Sequence, residues 1–464
     1  MAEAGFLTRA RIVAPPGWSR WLVPPAALSI HLAIGQVYAW SAFKTPLATA
    51  LDLSGVATAL PFTLGIIMLG LSSALFGTKV DTNGPRWAMV VASSCFVAGF
   101  LISALGLYLG WYWLVVLGYG FVGGIGLGVG YISPVSTLMK WFPDKPGLAT
   151  GLAIMGFGGG ALIASPLTAS LLKAFGGSGP EASASGIGST FLVMGLIYLV
   201  FMSVGWLLIR VPADGWLPPG WDPASAKKSG LISTAQVSAK NAIRTPQFWL
   251  LWVVLCFNVT AGIGILERAN PIFQDFFRGS SPAESLAAAA VGFVSILSLA
   301  NSAGRIAWSS LSDVLGRKNM YRIYLGVGAL LYLLITLLEG GNRVVFLIAS
   351  VLILSFYGAG FATVPAYLRD LFGTYQVGAI HGRLLTAWST AGVLGPLIVN
   401  AIADARIEAG VEGPARYTIA FVIMIVLLVI AFVCNELIKP VSDRFHEPPA
   451  EPAGTASETK GAQA

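Results

Sequence analysis

Charge is scarce in this chain. Asp, Glu, Lys and Arg make up 11% of its 464 residues, against roughly 25% in ordinary soluble domains. Cysteine is nearly absent: Cys95, Cys256 and Cys434 each stand alone in an apolar stretch, so neither a disulfide framework nor metal-ligand spacing can be read. Histidine is as rare. His31, His381 and His446 lie in dissimilar settings, and no nucleophile–base pair accompanies them, so no metal site and no enzyme activity are expected. The phosphate-cradling pattern G-x-x-x-x-G-K-[ST] does not occur, which argues against pumping driven by ATP. No cofactor is expected. What the chain has instead is 56% hydrophobic residues and a mean hydropathy of +0.76. That composition excludes a disordered polymer, a collagen-like fibre and a disulfide scaffold. It makes a membrane protein with many spans the expected class.

A helix needs about 20 mainly apolar residues to span a bilayer. Twelve runs qualify: 22–43, 58–80, 86–108, 111–138, 148–173, 188–210, 248–270, 286–312, 321–339, 343–367, 379–403 and 417–438. The first is too long for a cleaved secretory signal and lacks its cleavage pattern, so it is read as a retained helix. The longest polar break, 211–247, divides the spans six and six. The expected organisation is an amino-terminal segment 1–21, a six-helix bundle 22–210, an inter-bundle loop 211–247, a second six-helix bundle 248–438 and a disordered tail 439–464. If the first residues are cytoplasmic, about 20 of the 28 lysines and arginines fall on the cytoplasmic side. Both termini are therefore expected to be cytoplasmic. The net charge of +7 then reports orientation rather than nucleic-acid binding, because the bases are spread over short loops.

Two of those loops match. Gly77-x-x-x-Asp81-x-x-Gly84-Pro85-Arg86 follows the second span, and Ser309-x-x-x-Asp313-x-x-Gly316-Arg317-Lys318 follows the eighth. Each has an Asp at a helix end, a Gly three residues on and a base five residues on. The Asp can accept bonds from the exposed N–H groups of a neighbouring helix start, the Gly permits a tight turn, and the base offers the Asp a partner. Their recurrence at equivalent places in two six-helix halves points to an internal repeat. The chain here resembles the major facilitator superfamily, whose signature is G-x-x-x-D-x-x-G-R-x-[GR]-[RK]. It departs at Pro85, where an Arg is usual, and at Ser309, where the second copy would begin with Gly. The resemblance implies an all-α membrane protein of twelve transmembrane helices in two bundles. These loops would form its cytoplasmic gate.

Finer features look like the oxalate/formate antiporter family, close to the monocarboxylate transporters. They are Arg20-Trp21, Gly35-Gln36-Val-Tyr38-Ala-Trp40-Ser41, Tyr131-Ile-Ser-Pro134, the loop Lys140-Trp141-Phe142-Pro143-Asp144-Lys145-Pro-Gly147-Leu-Ala-Thr-Gly151 and the loop Asp370-Leu-Phe-Gly373. The glycines Gly124, Gly126, Gly128 and Gly130 imitate a dinucleotide-binding spacing. They lie in a spanning run with no preceding strand, so close helix packing is the reading here and at Gly156, Gly158, Gly159 and Gly160.

Arg305 carries the sharpest chemistry. It lies eight residues before Asp313, about 12 Å from the helix end, and a cation near the bilayer midplane costs roughly 2.5–3.5 kcal/mol on insertion scales. Its guanidinium can grip a carboxylate with two parallel bonds, and Asn301, one turn away, can add a third. The alternative is a structural arginine held by a buried carboxylate or by helix carbonyls. The resemblance favours the first role, because the arginine at this motif position is the proposed carboxylate anchor of related carriers. Counted from their cytoplasmic ends, Tyr131, Tyr357 and Trp388 lie about 14, 18 and 15 Å deep. They can therefore share a level with Arg305, with Tyr38 and Phe361 as further lining candidates. The related oxalate carriers have a lysine where this chain has Trp388. A single cation then suits a monocarboxylate better than the oxalate dianion.

Two other polar spots stay open. His31, mid-span in the first helix, can relay a proton or pack as a neutral hydrogen-bonded residue. Glu267 can titrate to couple proton movement, or pair with Arg268, and Pro271 implies a break in that helix. The expected function is secondary transport of a small monocarboxylate by a monomer in the cell's inner or plasma membrane. It would run by alternating access, through proton symport or exchange with a counter-anion. Oxalate-for-formate exchange would need a second cation, for which Arg268 is the candidate. A membrane anion sensor is the more distant alternative.

Overall fold

The computed structural model describes residues 5–178, 182–222, 235–279, 282–338 and 341–448. Among them are twelve helices long and apolar enough to cross a membrane. In chain order these are α1 (Arg20–Ala39), α2 (Gly55–Asn83), α3 (Pro85–Tyr108), α4 (Tyr112–Trp141), α5 (Pro146–Ala174), α6 (Ala184–Leu208), α7 (Pro246–Leu266), α8 (Ala288–Leu315), α9 (Arg317–Leu338), α10 (Arg343–Phe372), α11 (Val377–Glu408) and α12 (Thr418–Leu437). No β-strand occurs among the described residues, only a lone parallel bridge between Val13 and Val211.

Local chemistry sets the helix starts. Pro85, Pro146 and Pro246 open their helices, where a missing N–H has no intrahelical partner to lose. Ser54, Ser183, Thr245 and Asn342 accept bonds from first-turn N–H groups. α2 and α8 both stop at a glycine with positive φ, 92° at Gly84 and 85° at Gly316. These are backbone positions that a side chain would strain.

Most boundaries fall within a turn of the hydropathy runs. α10 and α11 run further than expected, to Phe372 and Glu408. Hydropathy stops at charges, but a helix continues where its charges find partners. Asp370 meets Arg317 at 3.3 Å, and Asp404 pairs with Arg268. The run expected at 248–270 is split. Its helix ends at Arg268 (φ −111°, ψ 19°), and a separate short helix, Ala269–Phe276, follows. Pro271 sits in the first turn of that short helix, where it breaks no hydrogen bond. The tail expected to be disordered is docked over its first part. Glu447 donates from its N–H to Gln236 O at 2.8 Å and accepts from Ser238 N and Asn241 Nδ2 at 3.2 Å each. Residues 449–464 lie outside the described residues, as do 223–234 of the inter-bundle loop.

Helix packing follows a recurring scheme. α1 packs on α5 and α6, α2 on α4, and α3 on α6; α7 packs on α11 and α12, α8 on α10, and α9 on α12. Adding six to each member of the first set yields the second. The contacts that join the two sets, α2 with α11, α5 with α8, α5 with α10 and α4 with α11, exchange under the same operation. The outward faces of the bundle are apolar and exposed, as at Leu75, Trp113 and Leu337, each more than 70% exposed. Lipid, not water, suits such a surface.

Candidate functional site

Arg305, near the middle of α8, is fully buried. Its Nε donates to Asn301 Oδ1 one turn earlier at 3.2 Å, and its Nη1 donates to Ile154 O of α5 at 3.0 Å. Its Nη2 has no hydrogen-bond partner, and no ion pair to it occurs among the described residues. α5 can approach this closely because residue 158 is glycine. A Cβ there would lie 2.8 Å from Arg305 Nε.

Aromatic rings close over the guanidinium. Its central carbon lies 5.5 Å from the Phe361 ring centre and 5.9 Å from that of Phe157. The Tyr131 ring is 5.4 Å from both phenylalanines and 6.0 Å from Trp388. Trp388 is 4.9 Å from Phe361 and 5.4 Å from Phe157. Tyr38 packs on Phe157 at 5.1 Å, and its hydroxyl meets that of Tyr357 at 3.4 Å. Residues from α1, α4, α5, α8, α10 and α11 thus form one box. The Tyr131 hydroxyl and the Trp388 Nε1 are, like Arg305 Nη2, buried without a partner among the described residues. All three atoms can donate a hydrogen bond.

The structure therefore brings Arg305, Asn301, Tyr131, Tyr357, Trp388, Tyr38 and Phe361 into one neighbourhood. Sequence reasoning missed two members. Phe157 is the one aromatic in the small-residue run Gly151–Gly160. The depth arithmetic applied to the other spans would have placed it about 16 Å from the start of α5. His381 packs against Tyr131 at 5.8 Å, and His31 stacks on the same ring at 5.3 Å. A histidine inside a span is a signal in itself, but the pairing of these two is visible only in three dimensions.

At one end of the bundle the two Asp loops tie the halves together. Asp313 accepts from Gly147 N and Leu148 N at 2.8 and 3.0 Å, capping the start of α5. Asp81 accepts from Ala379 N at 2.8 Å, capping the start of α11. Arg369 adds a bond to Pro143 O at 3.1 Å. Here the expected role of the base five residues after each Asp needs correction. Arg86 donates instead to Trp206 O and Leu207 O and stacks on Phe6. Lys318 donates to Glu436 O and Ile438 O. The base that pairs is Arg317, four residues after Asp313 and 2.6 Å from it. The turn at Gly316 (φ 85°) brings Arg317, the first residue of α9, back beside Asp313 at the end of α8. The first copy has Pro85 at that place, and its Asp81 makes no ion pair among the described residues. Gly77 packs against Ala379, where a Cβ would lie 2.8 Å from its Cα. Ser309, standing where the signature has Gly, is met by Gly151 of α5.

Of the remaining candidates, Arg268 is engaged elsewhere, by Asn400 Oδ1 at 2.5 Å and by Asp404. The Glu267 side chain lies outside the described residues.

The family profile of the Major Facilitator Superfamily matches residues 26–396 and 281–461. The oxalate:formate antiporter of Oxalobacter formigenes is 28% identical over 83% of this chain and 85% of its own length. Apicoplast pyruvate carrier 1 of Toxoplasma gondii is 26% identical over 67% of this chain and 63% of its own. Human monocarboxylate transporter 11 is 30% identical over 44% of this chain and 42% of its own. Among solved structures, the transporter FucP in its outward conformation superimposes with a TM-score of 0.63 at 14% identity, covering 90% of this chain and 99% of FucP. With twelve membrane-spanning helices, that fold and that family match, the chain is a multi-pass membrane protein belonging to the Major Facilitator Superfamily.

Proposed function

We propose that this chain is a secondary transporter of small monocarboxylates of the lactate, pyruvate and formate type. It works by alternating access in the cell membrane, as a monomer, with its Asp loops on the cytoplasmic side. The observation that carries the reading is the donor set in the aromatic box. Arg305 Nη2, Tyr131 OH and Trp388 Nε1 are buried, close together and without partners among the described residues. A buried guanidinium left partly unpaired costs several kcal/mol, and a carboxylate offers only acceptors. Bound there, it would offset that cost. Arg305 and Asn301 hold its charged end, Tyr131 and Trp388 add bonds, and Tyr38, Tyr357 and Phe361 shape the wall around a short carbon chain. The pyruvate and monocarboxylate carriers among its relatives support the same class of cargo.

The halves would rock about this site. The Asp81 and Asp313 caps would hold the cytoplasmic end shut until cargo favours the opposite state. Movement is coupled to a proton, through His31 or Glu267, or to a counter-anion.

The Oxalobacter relative favours a second reading, exchange of oxalate for formate. A dianion calls for two cations. Trp388 stands at the place of the expected second one, and Arg268 is already paired. The deciding experiment is uptake of labelled lactate, pyruvate, formate and oxalate into proteoliposomes, with and without a pH gradient. Saturable uptake of a monocarboxylate exceeding that of oxalate is the expected result. Transport of none of the four, or of oxalate above all others, overturns it.

A further inference from the structure

His31 of α1 is fully buried, and both of its ring nitrogens face backbone carbonyl oxygens. Nδ1 meets Ala153 O of α5, and Nε2 lies 3.0 Å from Tyr131 O of α4. A carbonyl can only accept, and a neutral imidazole has one N–H. In the neutral form one nitrogen must turn a lone pair toward an oxygen. The imidazolium donates to both. The site is thus shaped for the charged ring, at a fully buried position where charge is costly.

The surrounding groups say what decides between the two forms. From α4, Tyr131 stacks on the imidazole. α5 carries no titratable side chain except Lys173 in its last turn. Tyr198, the titratable residue of α6, packs on Phe96 and Phe100 instead. From α11, His381 packs on the Tyr131 ring, as His31 does. The fixed charge beside His31 is that of Arg305 on α8, which donates to Ile154 O, next in the chain to the Ala153 whose carbonyl faces His31. An isolated Arg305 repels a proton on His31, and a carboxylate on Arg305 cancels the repulsion.

We propose that His31 is the proton-binding site of this carrier, filled together with an anion on Arg305. The proposal rests on the monocarboxylate reading above and adds the coupling ion and its residue. The empty site holds one positive charge, on Arg305. The loaded site holds Arg305, the carboxylate and a protonated His31, and again sums to one positive charge. Both forms therefore cross between states with the same charge, and one proton travels with one monoanion. Tyr131 links the two ligands, because its carbonyl faces His31 while its ring and hydroxyl belong to the anion box.

The test uses the full chain, purified and reconstituted, with pyruvate as probe. On binding pyruvate in weak buffer, the wild type takes up about one proton per anion, and its affinity improves by up to about tenfold per unit fall in pH. His31→Gln retains pyruvate-for-pyruvate exchange within about threefold but loses pH-gradient-driven accumulation at least about tenfold. Pyruvate binding by the wild type without proton uptake overturns the proposal and leaves the anion site standing. So does undiminished coupling in His31→Gln. Failure of the wild type to bind pyruvate overturns the substrate reading and this proposal together. The wild-type measurements decide the matter even if the variant does not fold.

Discussion

Arg305 shows how much a single side chain can ask of its surroundings. Two of its three nitrogens are satisfied within the protein, by Asn301 and Ile154, and the third has no partner among the described residues. Arg305→Lys keeps the charge but loses the planar fork, so apparent affinity for pyruvate should fall at least about tenfold in a transport assay. Unchanged affinity in a correctly inserted Arg305→Ala protein would remove the anchor role altogether. Trp388 is the complementary case. Trp388→Lys introduces a second cation beside the first, and the ratio of oxalate to pyruvate uptake should rise about tenfold or more. A ratio that does not move would mean that residue 388 does not select the charge of the cargo.

Among the helices, the two Asp caps are unequal, and the inequality follows from one residue. Asp313 accepts from two backbone N–H groups and from Arg317. Asp81 accepts one backbone bond, and proline occupies the position from which an arginine would reach it. Charge-assisted bonds contribute roughly 1.5–3 kcal/mol each. Asp313→Asn should therefore open the Asp-loop end more than Asp81→Asn does. The measurement is the rate at which a thiol reagent labels Ser309→Cys in each background, with the three native cysteines replaced. Equal rates in the two backgrounds would show that the caps contribute alike.

At the scale of the whole molecule, the contacts between the halves run mainly along α2 with α11 and α5 with α8. Alternating access requires those at the Asp-loop end to part. Gly151 of α5 lies against α8 so closely that a Cβ there would come 2.7 Å from Arg305 O, and a larger residue would hold this part of the interface apart. Gly151→Leu should therefore lower pyruvate transport at least about tenfold in a protein that still inserts. Wild-type rates in that variant would mean that this interface does not close during the cycle.

The twelve spans and the matching Asp loops were legible in the chain, because a helix in lipid satisfies its own backbone bonds and its burial is decided by local apolar content. The depth of Arg305 followed from the helical rise and nothing more. The ends of α10 and α11 were not legible. They depend on Arg317 and Arg268, which lie 53 and 136 residues from their carboxylate partners. Helical rise could have given the depths of Phe157 and His381, but their place beside Tyr131 is a matter of which helices pack together, and hydropathy contains no term for that. Sequence by itself determined that this protein crosses a membrane twelve times and carries one arginine in the middle of α8. Tertiary structure alone decided what surrounds that arginine: six helices, distant along the chain, converging on a box of rings whose unpaired donors await an acceptor.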